Sequence, residues 1–281
     1  MASQGMDALF GMATIAPEPK LRIIPAPQTE DEARARAIGQ LQFEKEAVGL
    51  YISGHPLEHY PGMLEAASTK APNLEHWFHN SGAIAGYRGR KKAVLAGMIS
   101  GVQRKPTKSG GMMARVNFTD DVGSIELVAF SRAYEKINTK LIEDMPALVV
   151  VEVEPDGEGI RVSIEDVLTY DEARVMPKIL SLEMDLEEVG EPELEQLDEL
   201  LQNQEGIANT PIRVRVRGEA GYEIWELEIK ATPATSQALK LECPWLRSSL
   251  GINGDAVLAK YERQAKPWEK KATSGEVRVV N

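Results

Sequence analysis

The sequence is short of several things, and each scarcity removes a class of protein. It has one cysteine, Cys243, in 281 residues. No internal disulfide can form, so a reducing compartment is expected. Cys243 is followed by Pro244 and has no histidine within sequence reach, which argues against a nucleophilic thiol. No apolar run approaches the roughly 20 residues that a membrane span needs. The first residues lack a basic region followed by an apolar one, so no secretory leader is expected and the expected place is the cytoplasm. Histidine is also rare. His55 and His59 stand four apart, the spacing of two metal ligands on one helical face, but Pro56 interrupts them and no third ligand is near. A glycine-rich phosphate loop ending in Gly-Lys-Ser/Thr is missing. Asp120 and Asp121 are adjacent, which on a strand would point them to opposite faces, and Asp120-Asp121-Val-Gly123 reads better as a turn. No catalytic group, metal or cofactor is therefore expected, and no internal repeat stands out.

What the chain does have is charge in blocks. The net charge of −11 argues against coating nucleic acid with the whole surface. Yet Arg88, Arg90, Lys91, Lys92, Arg104, Lys105, Lys108 and Arg115 follow one another with no acid among them. From Glu183 to Glu205 every charge is acidic. A local basic patch on an acidic protein can still hold a phosphate backbone.

The basic block coincides with the best-patterned stretch, residues 93–174. Ala93 to Val102 is apolar and β-branched, with Gly97 and Gly101 inside it, where a strand serving two sheets must bend. Arg104 to Gly111 is turn-forming. Ala114 to Phe118 and Ser124 to Phe130 alternate, Arg132 to Leu141 reads as a short helix, and Ala147 to Val153 and Gly159 to Ile164 are two more strands. Three strands, a helix and two strands is the order of an OB-fold, a five-stranded barrel that binds oligonucleotides.

The flanks are read more coarsely. Residues 1–28, with Pro17, Pro19, Pro25 and Pro27 and no periodic face, are expected to be a mobile tail. Inside it, Gln4-Gly-Met-Asp-Ala-Leu-Phe10 is either a frayed end or a linear peptide that docks Leu9 and Phe10 in an apolar pocket. Residues 29–92 form a helical connector. Thr29 and Glu32 make a capping box, Ile38, Leu41, Val48 and Ile52 mark a buried side, and the helix stops at Ser53-Gly-His-Pro56. Leu74, Trp77 and Phe78 suggest a local helix before the barrel, either packed or offering an aromatic to a base. After Pro177, residues 178–258 read as a small α+β domain. Leu180 to Leu186 is a strand and Pro192 to Gln202 an acidic helix. Pro211 to Arg217 pairs with Glu223 to Ile229, so that Arg213, Arg215 and Arg217 face Glu226 and Glu228. Cys243 to Ile252 is expected to be helical, and 259–281 a second mobile tail around Trp268. The fold class is thus mainly β with α+β.

Glu44-Lys-Glu-Ala-Val-Gly-Leu-Tyr-Ile-Ser-Gly-His-Pro-Leu57 resembles a signature of the catalytic alpha subunits of bacterial DNA polymerase III. Within the barrel, Ala96-Gly97, Arg104, Lys108-Ser-Gly110, Thr119-Asp120-Asp121, Gly123, Ile125-Glu126 and Phe130 resemble the same family's OB segment. The resemblance covers about 1–230 and is most specific over 44–170. It implies that Gln4, Leu9 and Phe10 form a clamp-binding motif, departing at Asp7 from the longer form of that motif. It also implies that the family's catalytic palm, which lies far upstream, has no counterpart here, and that the last domain sits where some members carry the link to the clamp-loader tau subunit.

If the barrel holds single strands it needs cations for phosphates and flat groups for bases. Arg104, Lys105, Lys108 and Arg115 are the candidate cations, and Phe118 and Phe130 either stack on bases or fill the barrel. Three functions are carried forward. One is the C-terminal part of a replicative polymerase, with single-stranded DNA, the sliding clamp, the tau subunit and the rest of the polymerase as partners and no membrane role. The second is a non-catalytic protein-interaction adaptor whose barrel is only a scaffold. The third, a metal-dependent hydrolase on His55 and His59, has little support.

Overall fold

The computed structural model describes residues 26–81, 89–108, 110–157, 159–185, 187–204, 206–218, 221–232 and 234–261. Gln4, Leu9, Phe10, Arg88 and Trp268 lie outside the described residues. Among the described residues no helix is long and apolar enough to cross a membrane.

Helix α1 (Glu30–Val48) starts where its capping chemistry sets it. The Thr29 hydroxyl accepts from the Glu32 N–H at 3.1 Å, while the Glu32 carboxylate accepts from the Gln28 N–H at 2.8 Å. The helix ends at Gly49, whose φ of 86° is left-handed and suits glycine. This is earlier than the Ser53-Gly-His-Pro56 stop expected from sequence, and the difference matters for packing. Of Ile38, Leu41, Val48 and Ile52, Leu41 alone is buried; Val48 is 59% and Ile52 66% exposed. With the helix closed at Gly49, Ile52 no longer lies on its periodic face.

Glu44 fastens the loop that follows. Its carboxylate accepts from the Ser53 hydroxyl, from the Ser53 N–H at 2.9 Å and from the Ile52 N–H at 2.8 Å. These bonds, the Ser53 hydroxyl's first, hold its carboxyl down from the ordinary 4.5 to about 2. A carboxyl depressed by folding contributes stability that is complete above its unfolded value and is lost as pH falls toward its folded value. Hydrogen-exchange protection of the Ile52 and Ser53 amides should therefore hold down to about pH 4.5 and disappear between there and about pH 2. Glu44→Gln should abolish that pH dependence; protection unchanged in the variant would show that Glu44 does not hold the loop.

Three 3₁₀ turns (Pro56–His59, Leu64–Ala66 and Ala71–Asn73) lead to α2 (Leu74–Asn80). His55 caps the first turn, its Nδ1 accepting from the Leu57 N–H at 3.2 Å. Leu74 and Phe78 of α2 are buried in the barrel's core with Trp77 half-buried beside them, so these aromatics pack rather than face a base.

The barrel comprises β1 (Lys91–Pro106), β2 (Met112–Thr119), β3 (Ser124–Ala129), β4 (Met145–Asp156) and β5 (Gly159–Thr169). It closes in the order β1-β2-β3-β5-β4, with α3 (Ser131–Ile137) between β3 and β4. This is an OB-fold. Strand β1 does double duty, pairing with β4 from Lys91 to Ile99 and with β2 from Met98 to Pro106. Its register slips between Ile99 and Gly101, so the bend lies there and not at Gly97. Gly97 meets a different need. A Cβ on it would stand 2.5 Å from the Thr119 carbonyl oxygen and 2.8 Å from the Phe118 ring.

After α4 (Tyr170–Ala173) comes a four-stranded sheet, made of β6 (Lys178–Asp185), β7 (Thr210–Gly218), β8 (Gly221–Ala231) and β9 (Arg247–Ile252) in the order β8-β7-β6-β9. Leu197 and Leu201 of α5 (Glu191–Gln202) and Leu239 of α6 (Thr235–Glu242) pack with Leu180, Leu182 and Val214 of the sheet. The helix expected over Cys243 to Ile252 is not formed. Helix α6 ends before Cys243 and Pro244, and Arg247–Ile252 pairs antiparallel with β6; a proline cannot donate the N–H that a continuing helix needs. Cys243 is buried, and that burial pushes its thiol above the ordinary value.

A second core lies outside the barrel. Val94, Ala96 and Met98 of β1 and Leu148 and Val150 of β4 point outward, and are buried under Leu57, Met63 and Ala66 of the connector and under Ile252 and Val257. Val257 belongs to α7 (Gly254–Ala259). The first half of β1 and most of β4 are therefore covered on both faces, which leaves the β2–β3 side as the barrel's open face.

Candidate nucleic-acid interface

The open face follows from alternation. Along β2, Ala114, Val116 and Phe118 are buried while Arg115 and Asn117 are exposed. Cross-strand register sets Gln103 beside Arg115 and Val128, Gly101 beside Asn117 and Glu126, and Lys105 beside Met113. Phe130, the residue after the Ala114–Ala129 pair, is 50% exposed. Lys105 and Met113 thus make a row of cation and thioether across the end of the face, with the exposed Phe130 ring just past the end of β3.

The β1–β2 loop borders that row. Thr107 N–H donates to the Gly111 carbonyl at 2.7 Å and Gly110 N–H to the Thr107 carbonyl at 3.1 Å, with Gly110 at φ 87°. Gly111 lies so close to Ser131 that a Cβ would meet its hydroxyl at 2.8 Å, which seats the loop against the start of α3. Lys108 is exposed in the loop and Arg132 on the first turn of α3. Among the described residues, neither these two nor Lys105 makes an ion pair.

The remaining sequence candidates divide. Phe118 is fully buried, so it fills the barrel and cannot stack on a base. Strand parity is the reason, since Phe118 shares the inward face with Ala114 and Val116. Arg104 alternates away from Lys105, and its guanidinium donates to the Leu141 carbonyl at 3.0 Å. Arg115 is on the open face but pairs with Glu126 at 3.1 Å. The described residues of the basic block at the start of the barrel are consumed by structure. Arg90 pairs with Glu152 at 2.8 Å and Glu154 at 2.9 Å, Lys91 donates to the Phe78 carbonyl at 2.8 Å, and Lys92 donates to the Tyr261 carbonyl at 2.6 Å. Sequence reasoning missed Met113 and Arg132. The first was available from the alternation that already set Arg115 outward.

The opposite end of the face is differently charged. Asp120 closes the β2–β3 turn, accepting from the Val122 and Gly123 N–H groups at 2.8 Å, and also takes the Ala71 N–H at 2.6 Å. Lys70 pairs with Asp121 at 2.7 Å. Between β3 and β5, Glu75, Glu126, Asp156 and Arg161 border a groove. Arg161 is engaged there by Asp156 at 2.8 Å and Glu154 at 3.4 Å.

The arginines of β7 form ion pairs, one of them with an expected partner and the others with β6. Arg213 meets Glu226 at 3.1 Å and also Asp255 of α7. Arg215 faces Glu183 at 4.0 Å and Arg217 faces Asp185 at 3.8 Å, both on β6. The parallel β6–β7 register, which pairs Glu183 with Arg215 and Asp185 with Arg217, accounts for this.

Residues 93–169 match the family model described as tRNA_anti-codon, an OB-fold nucleic acid binding domain. The chain is similar to DNA polymerase III subunit alpha of Deinococcus radiodurans, 37% identical over 279 residues, which is 99% of this chain and 20% of that relative. The same subunit of Thermus aquaticus is 38% identical over 224 residues, 80% of this chain and 17% of the relative. That of Aquifex aeolicus is 31% identical over 181 residues, 63% of this chain and 14% of the relative. The chain spans a fifth or less of the length of these curated relatives.

Proposed function

We propose that this chain is the C-terminal part of a bacterial replicative DNA polymerase of the DNA polymerase III alpha type, one that holds single-stranded template and a sliding clamp while nucleotidyl transfer is done elsewhere in the polymerase. The observation that carries the reading is similarity to that subunit along 99% of the chain. The open face of the barrel supports it chemically, because Lys105 and Lys108 suit phosphates and Phe130 suits a base. Gln4, Leu9 and Phe10 supply the clamp-binding peptide, and the sheet of β6 to β9 meets the clamp-loader tau subunit or another partner. Alone, the chain is expected not to polymerise.

Fluorescence anisotropy of labelled oligo-dT with the chain, repeated over a range of salt, tests the template part. Log affinity should fall linearly with log salt, and for single strands each phosphate contact contributes about −0.7 to the slope. Changing Lys105 and Lys108 together to alanine should make the slope shallower by about 1.4. No detectable binding at low salt would reject template holding in favour of the adaptor reading. The clamp part is tested separately by surface plasmon resonance against a bacterial sliding clamp. Leu9→Ala with Phe10→Ala should remove clamp binding while leaving oligo-dT binding intact; an unaltered clamp affinity would sink that assignment.

A further inference from the structure

We infer that the open face of the barrel is electrically one-ended, so that a single strand runs over a short path at the β1–β2 loop and the start of α3, with the β3–β5 groove left unused. This rests on reading the barrel as a single-strand binder and adds where on it the strand runs.

At one end stand Lys105, Lys108 and Arg132, none paired with a carboxylate among the described residues, beside the exposed ring of Phe130. Lys105 and Met113 are cross-strand neighbours, Phe130 directly follows the Ala129 that pairs with Ala114, and Gly111 against Ser131 draws Lys108 and Arg132 to the same edge. A phosphate and its base therefore find a counter-charge and a stacking plane together.

The other end offers neither. The groove lining carries Glu75, Glu126 and Asp156 against the single guanidinium of Arg161, which Asp156 and Glu154 already engage. Lys70 is taken by Asp121. A strand continued into this groove would bring phosphates against carboxylates, and like charges at close range repel. Midway, Arg115 is paired with Glu126 and Asn117 is uncharged. Strand β2 is eight residues long, on the order of 25 Å at about 3.3 Å per residue, so the favourable end occupies only part of the face. The footprint should lie at the short end of the roughly 4 to 16 nucleotides that OB-folds cover.

Anisotropy titrations of the full chain with labelled oligo-dT of increasing length, from 4 to 24 nucleotides, test this. Affinity should stop rising by about 8 nucleotides. Phe130→Ala should weaken binding about tenfold, with its circular dichroism and melting unchanged because the ring is half exposed. Arg161→Ala should change affinity less than twofold. Glu126→Lys with Asp156→Lys should open the groove, so that affinity keeps rising beyond 8 nucleotides. Affinity of the unaltered chain that climbs to 16 nucleotides, or a large loss from Arg161→Ala, would overturn the short path while leaving the barrel a single-strand binder. Absence of binding at every length would instead remove the template function itself.

Discussion

Asp120→Ala should lower the stability of the chain by about 4 kcal/mol, read from urea unfolding at neutral pH. The carboxylate accepts three backbone N–H groups, two within its own β2–β3 turn and one from Ala71 across the junction with the connector. Hydrogen bonds to a charged group contribute about 1.5–3 kcal/mol each, and an N–H left buried without an acceptor adds its own desolvation cost. The Ala71 N–H is the costly one, because its bond to Asp120 is buried; the turn amides are only partly buried and can turn to water. Asp120→Asn keeps an acceptor oxygen, so about half the loss is expected there. A loss below about 1 kcal/mol for the alanine variant would mean that the connector is not anchored through this side chain.

Gly97→Ala is expected to cost about 3 kcal/mol, at the upper end of what overpacking a close-packed core does. The added methyl would lie 2.5 Å from the Thr119 carbonyl oxygen and 2.8 Å from two atoms of the Phe118 ring. Neither neighbour yields easily. Thr119 is held in the β1–β2 ladder by its pairing with Met98, and Phe118 is fully enclosed. Adding Phe118→Leu shortens one of the two obstacles, so the double variant should recover part of the loss that the two single changes predict together. A coupling of about 1 kcal/mol is expected, in the range seen for residues in contact. Strict additivity would show that the ring is not what Gly97 makes room for.

Much of the fold was readable because the barrel strands obey one rule at a time. Ser124 to Ala129 alternates, Ala147 to Val151 is apolar throughout, and the stretch joining β1 and β2 is full of glycine, lysine and proline. Where two demands fall on one residue, sequence reading went astray. Gly97 and Gly101 look alike in a strand, yet one admits a ring and the other adjoins the bend. Val48 and Ile52 have the spacing of a buried helical face, but a left-handed glycine ends the helix between them. Ser248-Ser-Leu-Gly251 has no strand signature of its own and becomes β9 only because β6 offers an edge. The candidate site was half legible for a similar reason. Lysines beside a turn cannot be core, so Lys105 at the end of β1 and Lys108 in the loop were found. The parity of Phe118 against Arg115 was also on view, since Ala114, Val116 and Phe118 are apolar while Arg115 and Asn117 are polar. The roles of Arg90, Lys91 and Lys92 depend on partners from about 10 to 170 residues away, which no local pattern encodes.

The core outside the barrel has a consequence for the order in which the molecule is made. The barrel's interior is complete once Val167 is available, but the outer core needs Ile252 and Val257 to cover Val94, Met98, Leu148 and Val150. At the usual pace of synthesis the intervening stretch takes on the order of ten seconds to appear. For that interval the apolar wall on β1 and β4 is covered by Leu57, Met63 and Ala66 of the connector but not yet by Ile252 and Val257. It is this late arrival of β9 and α7, more than the closing of the barrel itself, that sets when the emerging chain stops being attractive to other apolar surfaces.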